Sequence, residues 1–250
     1  MTSMCFTLPL IAALVITSAL TAPVHAQTFT TLSNFNDADG DKPEFGSLIQ
    51  ATNGNYYGTT YDGGKNEAGV VFEVARTGEL SDVYSFCPQP GCVDGQNPWS
   101  SLVLGSDGNL YGTTLGGGAY GWGTIYKITI GGKLTTLYSF CPAGGSCTDG
   151  EAPVGLAQAS NGNLYGTTNG GGAEHVGTVF EISKTGKFKS LYSFCSKTNC
   201  VDGSQPWSGL IQAANGNLYG TTYYGGANGA GTVYEITPGG EFKTLYSFCP

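Results

Sequence analysis

The sequence predicts an all-β fold, and three observations carry that prediction: an internal repeat, abundant glycine and few charged residues. The chain of 250 residues contains 41 glycines and 15 tyrosines, and only 11% of its residues are charged. A glycine inside a helix costs about 1 kcal/mol relative to alanine. Short strands joined by tight turns accommodate this composition far better. We therefore expect strands rather than helices.

The repeat has a period of 54 residues. The triplet Gly-Thr-Thr starts at Gly58, Gly112, Gly166 and Gly220. The triplet Tyr-Ser-Phe starts at Tyr84, Tyr138, Tyr192 and Tyr246. A fixed period of this size is typical of stacked supersecondary units. We place the four repeats at about 43–96, 97–150, 151–204 and 205–250.

Each repeat contains the pattern of four short strands. In the second repeat the expected strands are Ser101–Gly105, Leu110–Thr114, Thr124–Thr129 and Lys133–Phe140. The turn Asp107-Gly108-Asn109 is expected to join the first two strands, because an Asp-Gly pair permits a positive φ in a hairpin. Such units predict the blades of a β-propeller, with an open β-solenoid as the alternative.

The segment before the first repeat matches the last strand of a repeat. Leu32-Ser33-Asn34-Phe35 aligns with Leu137-Tyr138-Ser139-Phe140, which predicts an extra N-terminal strand. Four repeats plus this strand give one strand more than a closed ring of four blades needs. We therefore expect an incomplete ring, belonging to a longer array or a truncated paralogue.

The glycine-rich stretch from Gly108 to Tyr126 does not predict a phosphate cradle. A phosphate loop precedes a helix whose N-terminus meets the anion. Here β-branched and aromatic residues follow the glycines, and the arrangement returns in every repeat. These glycines are therefore expected to build the scaffold.

The N-terminus predicts an export signal. An apolar run, Leu8–Ala22, is followed by Val24-His25-Ala26, a small-x-small cleavage pattern. No Lys or Arg precedes the run, which departs from the usual signal. We assign 1–26 to a signal peptide and 27–250 to the repeat domain. The mature protein is then extracellular, on the cell surface or in the periplasm, without a membrane span.

The net charge of −8 makes nucleic acid an unexpected partner. Binding to a phosphate backbone requires clustered Lys and Arg, and the sequence contains no such cluster.

The motifs Gly-Asn-Leu-Tyr-Gly-Thr-Thr, Gly-Gly-x4-Gly-Thr-Val-Phe/Tyr-Glu and Leu-Tyr-Ser-Phe resemble the GloVer tandem repeat. The resemblance covers about residues 28 to 250 and implies a bacterial secreted or surface protein. Members of that family carry varied C-terminal anchors, and the sequence departs from the family in showing no recognisable anchor. The strand pattern also looks like the repeats of two-component regulator propellers, which supports the propeller interpretation. The resemblance implies fold and location rather than a biochemical activity.

Cysteines follow the Tyr-Ser-Phe strand in pairs, namely Cys87/Cys92, Cys141/Cys147 and Cys195/Cys200. In an exported protein such pairs predict local disulfides. A zinc site built from C-x4-C pairs is the alternative, although zinc spacing is usually shorter. Cys249 takes the place of a first loop cysteine, and its partner is not identified.

A calcium site is the one cofactor that the sequence suggests. Asp37, Asp39 and Asp41 place carboxylates at alternate positions, as in loops that surround a hard cation. In the other repeats only an Asp-Gly-x-x-Pro core remains, at Asp94, Asp149 and Asp202. The alternative for these aspartates is an Asx-turn, in which the side chain caps its own backbone.

The sequence offers no convincing catalytic set. Glu73, Glu181 and Glu235 recur in the third strand, but Lys127 takes that position in the second repeat. We interpret them as charges on the strand surface. His175 is isolated in a loop, and no Gly-x-Ser-x-Gly nucleophile motif is present.

Four loops vary inside the constant glycine frame, and they are the best candidates for recognition. They are Lys65–Ala68, Ala119–Trp122, Ala173–Val176 and Ala227–Ala230. Tyr120 and Trp122 would provide an aromatic platform. The polar rim would consist of Asn66, Glu67, Glu174, His175 and Asn228. Sequence drift in exposed turns is the alternative. Trp99 and Trp207 are expected to pack between blades, with a surface role as the alternative.

Together these features predict an exported, non-catalytic binding module for a surface glycan or protein. A carbohydrate-active hydrolase or lyase on a propeller scaffold is one alternative. A passive structural surface array is another.

Overall fold

The computed structural model describes residues 30–43, 46–142 and 145–249. Every described strand belongs to the unit Leu32–Pro250. The expected signal peptide, 1–26, lies outside the described residues. Within those residues, no helix has the length and apolar character needed to cross a membrane.

The fold is all-β, as the sequence predicts, and consists of four antiparallel sheets, here called blades 1 to 4. Blade 1 contains β1 (Ile49–Gln50), β2 (Tyr56–Thr60), β3 (Val70–Val74) and β4 (Leu80–Ser85). Blade 2 contains β5 (Gln96–Pro98), β6 (Val103–Leu104), β7 (Leu110–Gly116), β8 (Thr124–Ile128) and β9 (Leu134–Ser139). Blade 3 contains β10 (Glu151–Gln158), β11 (Leu164–Gly170), β12 (Thr178–Ile182) and β13 (Phe188–Ser193). Blade 4 contains β14 (Ile211–Gln212), β15 (Leu218–Thr222), β16 (Thr232–Ile236) and β17 (Phe242–Ser247).

In blade 2, β5 and β6 both pair with β7, so they are two pieces of one first strand. The described residues also contain two single turns of 3-10 helix, Asp37–Asp39 and Thr198–Cys200.

The turn between the first two strands forms as its sequence predicts. In blade 1, Gly54 has a φ of 84°, a left-handed value that favours glycine. The side-chain oxygen of Asn53 accepts a hydrogen bond of 3.1 Å from the backbone N–H of Asn55. This local bond explains why the turns carry Asx-Gly-Asn.

The Gly-Thr-Thr triplet is part of the framework. A Cβ at Gly58 would lie 2.5 Å from the ring of Phe72 on the third strand, so only glycine fits. The hydroxyl of Thr59 donates to the carbonyl of Ser100 in the next blade, at 3.1 Å. In blade 2 the hydroxyl of Thr114 lies 2.8 Å from that of Thr124 on the third strand. The triplet therefore links strands within a blade and connects successive blades.

The hydrophobic core lies between successive blades. We call the side of a blade that packs on the next one its forward face, and the opposite side its backward face. Between blades 2 and 3, the forward face contributes Tyr111, Ile125 and Phe140, and the backward face contributes Leu156, Leu164, Phe180 and Ile182. Equivalent clusters join blades 1 and 2 and blades 3 and 4. A blade cannot bury both faces alone, which is why the units stack.

The Phe of each Tyr-Ser-Phe triplet reaches from one blade to the next. Phe86 meets Tyr126 with ring centroids 5.2 Å apart, and Phe140 meets Phe180 at 5.6 Å. Phe35 makes the same kind of contact with Phe72 of blade 1, at 4.8 Å. The expected extra N-terminal strand is nevertheless wrong, because residues 30–36 pair with no strand. Each of the four blades already contains its own outer strand, so no blade lacks the strand that this segment was expected to supply.

Candidate ligand-binding surface

The four variable loops connect the second and third strands of their blades and share one backbone geometry. Their third residues all have a positive φ, which is 55° at Glu67, 87° at Gly121, 57° at His175 and 77° at Gly229. Glu67 and His175 therefore occupy a left-handed position where the other two blades carry glycine. The loop frame is constant although its residues differ.

Three of these loops are fixed to the start of the next blade. The last residue of each accepts a backbone hydrogen bond from the residue before the next blade's proline. The bonds run from Asn97 to Ala68 at 2.9 Å, from Ala152 to Trp122 at 3.0 Å and from Gln205 to Val176 at 2.8 Å. The first and third loops thus lie beside the segments that carry Trp99 and Trp207.

The predicted site residues remain in their separate loops. The side-chain amide of Asn66 donates to the carbonyl of Phe86 at 2.8 Å, and that of Asn228 donates to Phe248 at 3.2 Å. These two amides therefore tie their loops to their own blades. The remaining candidates are exposed; they are Glu67, Tyr120, Trp122, Glu174 and His175. Among the described residues, no hydrogen bond or ring contact joins two different loops, so the shared platform stays a prediction.

The structure brings together an aromatic group that lies outside the four variable loops. The rings of Trp99 and Trp207 lie 5.8 Å apart and are tilted by 49°. Tyr61 approaches Trp99 edge-on at 5.6 Å. The two indoles come from blades 2 and 4, and Tyr61 comes from blade 1, so Trp99 and Trp207 pack between blades, as expected, although neither belongs to a buried inter-blade cluster. Trp207 is also 45% exposed, so it contributes to the surface as well.

These indoles border a cavity of about 570 Å³, here called the aromatic cavity, lined by Trp99, Gln205, Trp207, Tyr223 and Tyr224. Tyr223 and Tyr224 are exposed, and their rings meet edge-to-face at 4.5 Å. None of the five lining residues carries a charge. A sequence signal was present, because blades 2 and 3 have Leu115-Gly116 and Asn169-Gly170 where blade 4 has two tyrosines.

The glutamates of the third strands belong to local hydrogen-bond networks. In blade 1 the carboxylate of Glu73 accepts a 2.8 Å bond from the hydroxyl of Tyr57 and another from Asn55. Burial, together with the bond to Glu73, raises the pKa of Tyr57 to about 12. Glu181 accepts equivalent bonds from Tyr165 and Asn163 in blade 3. The interpretation as simple surface charges is therefore wrong for both, since each carboxylate anchors a buried tyrosine.

Blade 2 keeps this network with the carboxylate in another place. Lys127 replaces the glutamate, and Asp107 in the turn accepts the 2.8 Å bond from Tyr111 instead. Burial acts to raise the pKa of Asp107, but bonds from Asn109 and Tyr111 outweigh it and hold the pKa below its usual value. The exchange of Asn for Asp in the turn thus compensates for the loss of the glutamate.

The recurring aspartates do not cap their own backbone, so the Asx-turn interpretation is corrected. Asp149 accepts a 2.8 Å bond from the hydroxyl of Tyr138 and a 3.0 Å bond from the backbone N–H of Cys141. Burial, followed by the bond to Asp149, raises the pKa of Tyr138. The carboxylate therefore joins the Tyr-Ser-Phe strand to the cysteine loop. Asp94 does the same with Tyr84 and Cys87.

The expected disulfides are confirmed. They are Cys87–Cys92, Cys141–Cys147 and Cys195–Cys200. Their sulfurs are therefore not available as zinc ligands. Disulfides of this kind are consistent with an exported protein. Cys249 is exposed and unpaired.

The proposed calcium loop uses its polar groups internally. The side-chain oxygen of Asn36 accepts bonds from the backbone N–H groups of Ala38 and Asp39, and its amide donates to Asp39. Asp41 accepts a 2.8 Å bond from the backbone of Lys42. Within residues 30–43, 46–142 and 145–249, no three His, Cys, Asp or Glu residues form a group that could hold a metal. Calcium at Asp37, Asp39 and Asp41 stays a prediction.

Four stacked antiparallel sheets with recurring inter-blade cores define a β-propeller-like repeat protein. A family model for the Gloeobacter/Verrucomicrobia repeat matches residues 20–147 and 143–250. The chain belongs to this repeat family, which confirms the GloVer resemblance. None of the curated proteins compared with the chain matches it.

Several solved structures are similar to the chain in fold. The extracellular domain of a one component system from B. thetaiotaomicron has a TM-score of 0.54 and 13% identity, over 86% of this chain and 26% of that one. A puromycin-hydrolyzing peptidase from Mycobacterium tuberculosis has a TM-score of 0.52 and 14% identity, over 84% and 30%. The extracellular domain of a hybrid two component system from B. thetaiotaomicron has a TM-score of 0.50 and 13% identity, over 82% and 22%. The chain spans less than a third of these structures, and such low identity supports no enzymatic activity.

Proposed function

We propose that this protein is an exported, non-catalytic binding module whose aromatic cavity binds a neutral glycan. The observation that carries the proposal is the meeting of Trp99 and Trp207 beside Tyr223 and Tyr224 around one open cavity. Aromatic rings supply large contact areas, and the hydroxyl and N–H groups of Tyr and Trp bind polar partners. Sugar rings offer the matching surfaces, because they present C–H faces and hydroxyl edges.

The charge of the protein favours a neutral sugar. The lining contains no cation that could pair with a carboxylate or sulfate group. The formal net charge of −8 would also repel a polyanionic polysaccharide. Gln205 is the polar side chain of the lining and would accept and donate hydrogen bonds to hydroxyl groups.

An enzyme on the same scaffold has less support. Glycoside hydrolysis requires two carboxyl groups on opposite sides of one scissile bond. Glu73 and Glu181 instead bind the tyrosine of their own blade. The aromatic cavity itself contains no carboxylate.

The test is binding of the purified protein to a panel of neutral oligosaccharides, followed by isothermal titration with any that bind. Trp207→Ala should weaken binding by at least about tenfold, because a central aromatic contact contributes about 2 kcal/mol or more. Trp122→Ala is the matched control, since Trp122 is 48% exposed and lies outside the cavity.

Two results would contradict the proposal. If Trp122→Ala abolishes binding while Trp207→Ala does not, recognition belongs to the variable loops. If the folded protein binds no neutral sugar, the aromatic cavity is not a glycan site, and a protein partner becomes the better hypothesis.

A further inference from the structure

The forward face of blade 4 is uncovered. Its tyrosine and phenylalanine correspond to side chains that are fully buried in the other three blades. Tyr57, Tyr111 and Tyr165 are completely inaccessible, whereas the equivalent Tyr219 is half-buried. Phe86, Phe140 and Phe194 are likewise inaccessible, whereas Phe248 is 42% exposed. Ile211 on the same face is 70% exposed.

A small apolar cavity of about 250 Å³ lies on this face, lined in part by Ile211, Tyr219 and Val233. At the equivalent place in blade 3, the next blade covers the face with Leu210, Leu218, Tyr234 and Ile236. The three internal interfaces thus show what kind of surface fits here. It is the backward face of another repeat of this family.

The chain itself carries one backward face that no blade covers, on blade 1. Leu48 is 53% exposed, while its equivalents Leu102, Leu156 and Leu210 are between 3% and 8% exposed. The outer part of the same face is covered by Phe35, which packs against Phe72. Its inner part, with Leu48 and the half-buried Tyr56, is open.

We propose that the forward face of blade 4 docks onto the backward face of blade 1 in a second copy of the chain. The contact repeats the internal interfaces in trans, with Ile211, Tyr219 and Val233 of one copy facing Leu48 of the other. Phe248 takes the place of Phe35 on the ring of Phe72. Both segments have the pattern Leu-x-x-Phe, and residues 30–36 make no strand pairing that would resist the exchange.

Such an interface is heterologous, because each copy contributes a different surface. This property allows a decisive experiment by analytical ultracentrifugation of the full chain. Cys249→Ser serves as the background in every sample, so that no intermolecular disulfide contributes. In that background the chain should form multiples of the monomer mass as its concentration increases. Val233→Glu and Leu48→Glu should each weaken association by at least about tenfold, because a buried unpaired carboxylate is strongly unfavourable.

The mixture of the two variants distinguishes the geometry. One copy with Leu48→Glu retains an intact blade 4, and one copy with Val233→Glu retains an intact blade 1. Their mixture should form a heterodimer that contains one native interface, and it should not grow further. Ile130→Glu is the control, since Ile130 is exposed in blade 2 away from both faces. This variant should associate as the background does.

A monomer at all concentrations would overturn the proposal, as would association that neither Val233→Glu nor Leu48→Glu weakens. A mixture that stays monomeric, although each variant is folded by circular dichroism, would also overturn it. That result would indicate a symmetric contact that uses the same face of both copies.

Discussion

The inter-blade core makes a sharp prediction, because Phe140 and Phe248 hold the same position in two repeats. Phe140 is fully buried, and its ring lies 5.2 Å from that of Tyr138 and 5.6 Å from those of Phe180 and Phe188. Truncation of a buried Phe to Ala removes the transfer free energy and leaves a cavity, at a cost of about 3–5 kcal/mol. Phe140→Ala should reduce the free energy of unfolding by that amount.

Phe248→Ala should reduce the free energy of unfolding by only about 1 kcal/mol. Its side chain is already 42% exposed, and no blade packs on it, so little apolar area is lost and no closed cavity forms. The two variants are compared by urea unfolding at low protein concentration, with the m-value checked for constancy. Equal losses for both variants would refute the reasoning, because Phe248 would then be buried like its counterpart.

Three further predictions concern the polar groups. Tyr126→Phe should increase the free energy of unfolding by about 1 kcal/mol, because its buried hydroxyl has no hydrogen-bond partner and blades 1 and 3 already carry Phe there; a lower melting temperature would contradict this. Asp149→Ala should cost about 1–3 kcal/mol, because the half-buried hydroxyl of Tyr138 and the N–H of Cys141 lose their acceptor; unchanged urea unfolding would argue against that link. The pKa of Tyr57 is raised from 10.0 to about 12 in the folded state, so between pH 10 and pH 12 the Tyr57 hydroxyl ionises only when the chain is unfolded. The stability present below pH 10 should therefore fall as the pH rises towards 12, and Tyr57→Phe should flatten that slope in alkaline unfolding.

Local patterns were sufficient to predict the blades. In the second repeat, the expected strand Leu110–Thr114 corresponds to Leu110–Gly116, and Thr124–Thr129 corresponds to Thr124–Ile128. The disulfide Cys141–Cys147 was also predicted from the local sequence. Turn glycines, β-branched residues and closely spaced cysteines act on their near neighbours, so their effects are visible along the chain. The period of 54 residues then repeats each local result four times.

The sequence by itself therefore determined the fold class, the repeats and the disulfides. Only the tertiary structure decided where the surfaces lie. Trp99 and Trp207 are 108 residues apart, and they meet because the stacking of blades 2, 3 and 4 brings their segments together. Phe140 and Phe248 have the same local sequence, yet one is buried and the other exposed, because burial depends on whether another blade packs against that face. A repeat pattern specifies each blade, whereas contacts between distant blades depend on how all of them are stacked.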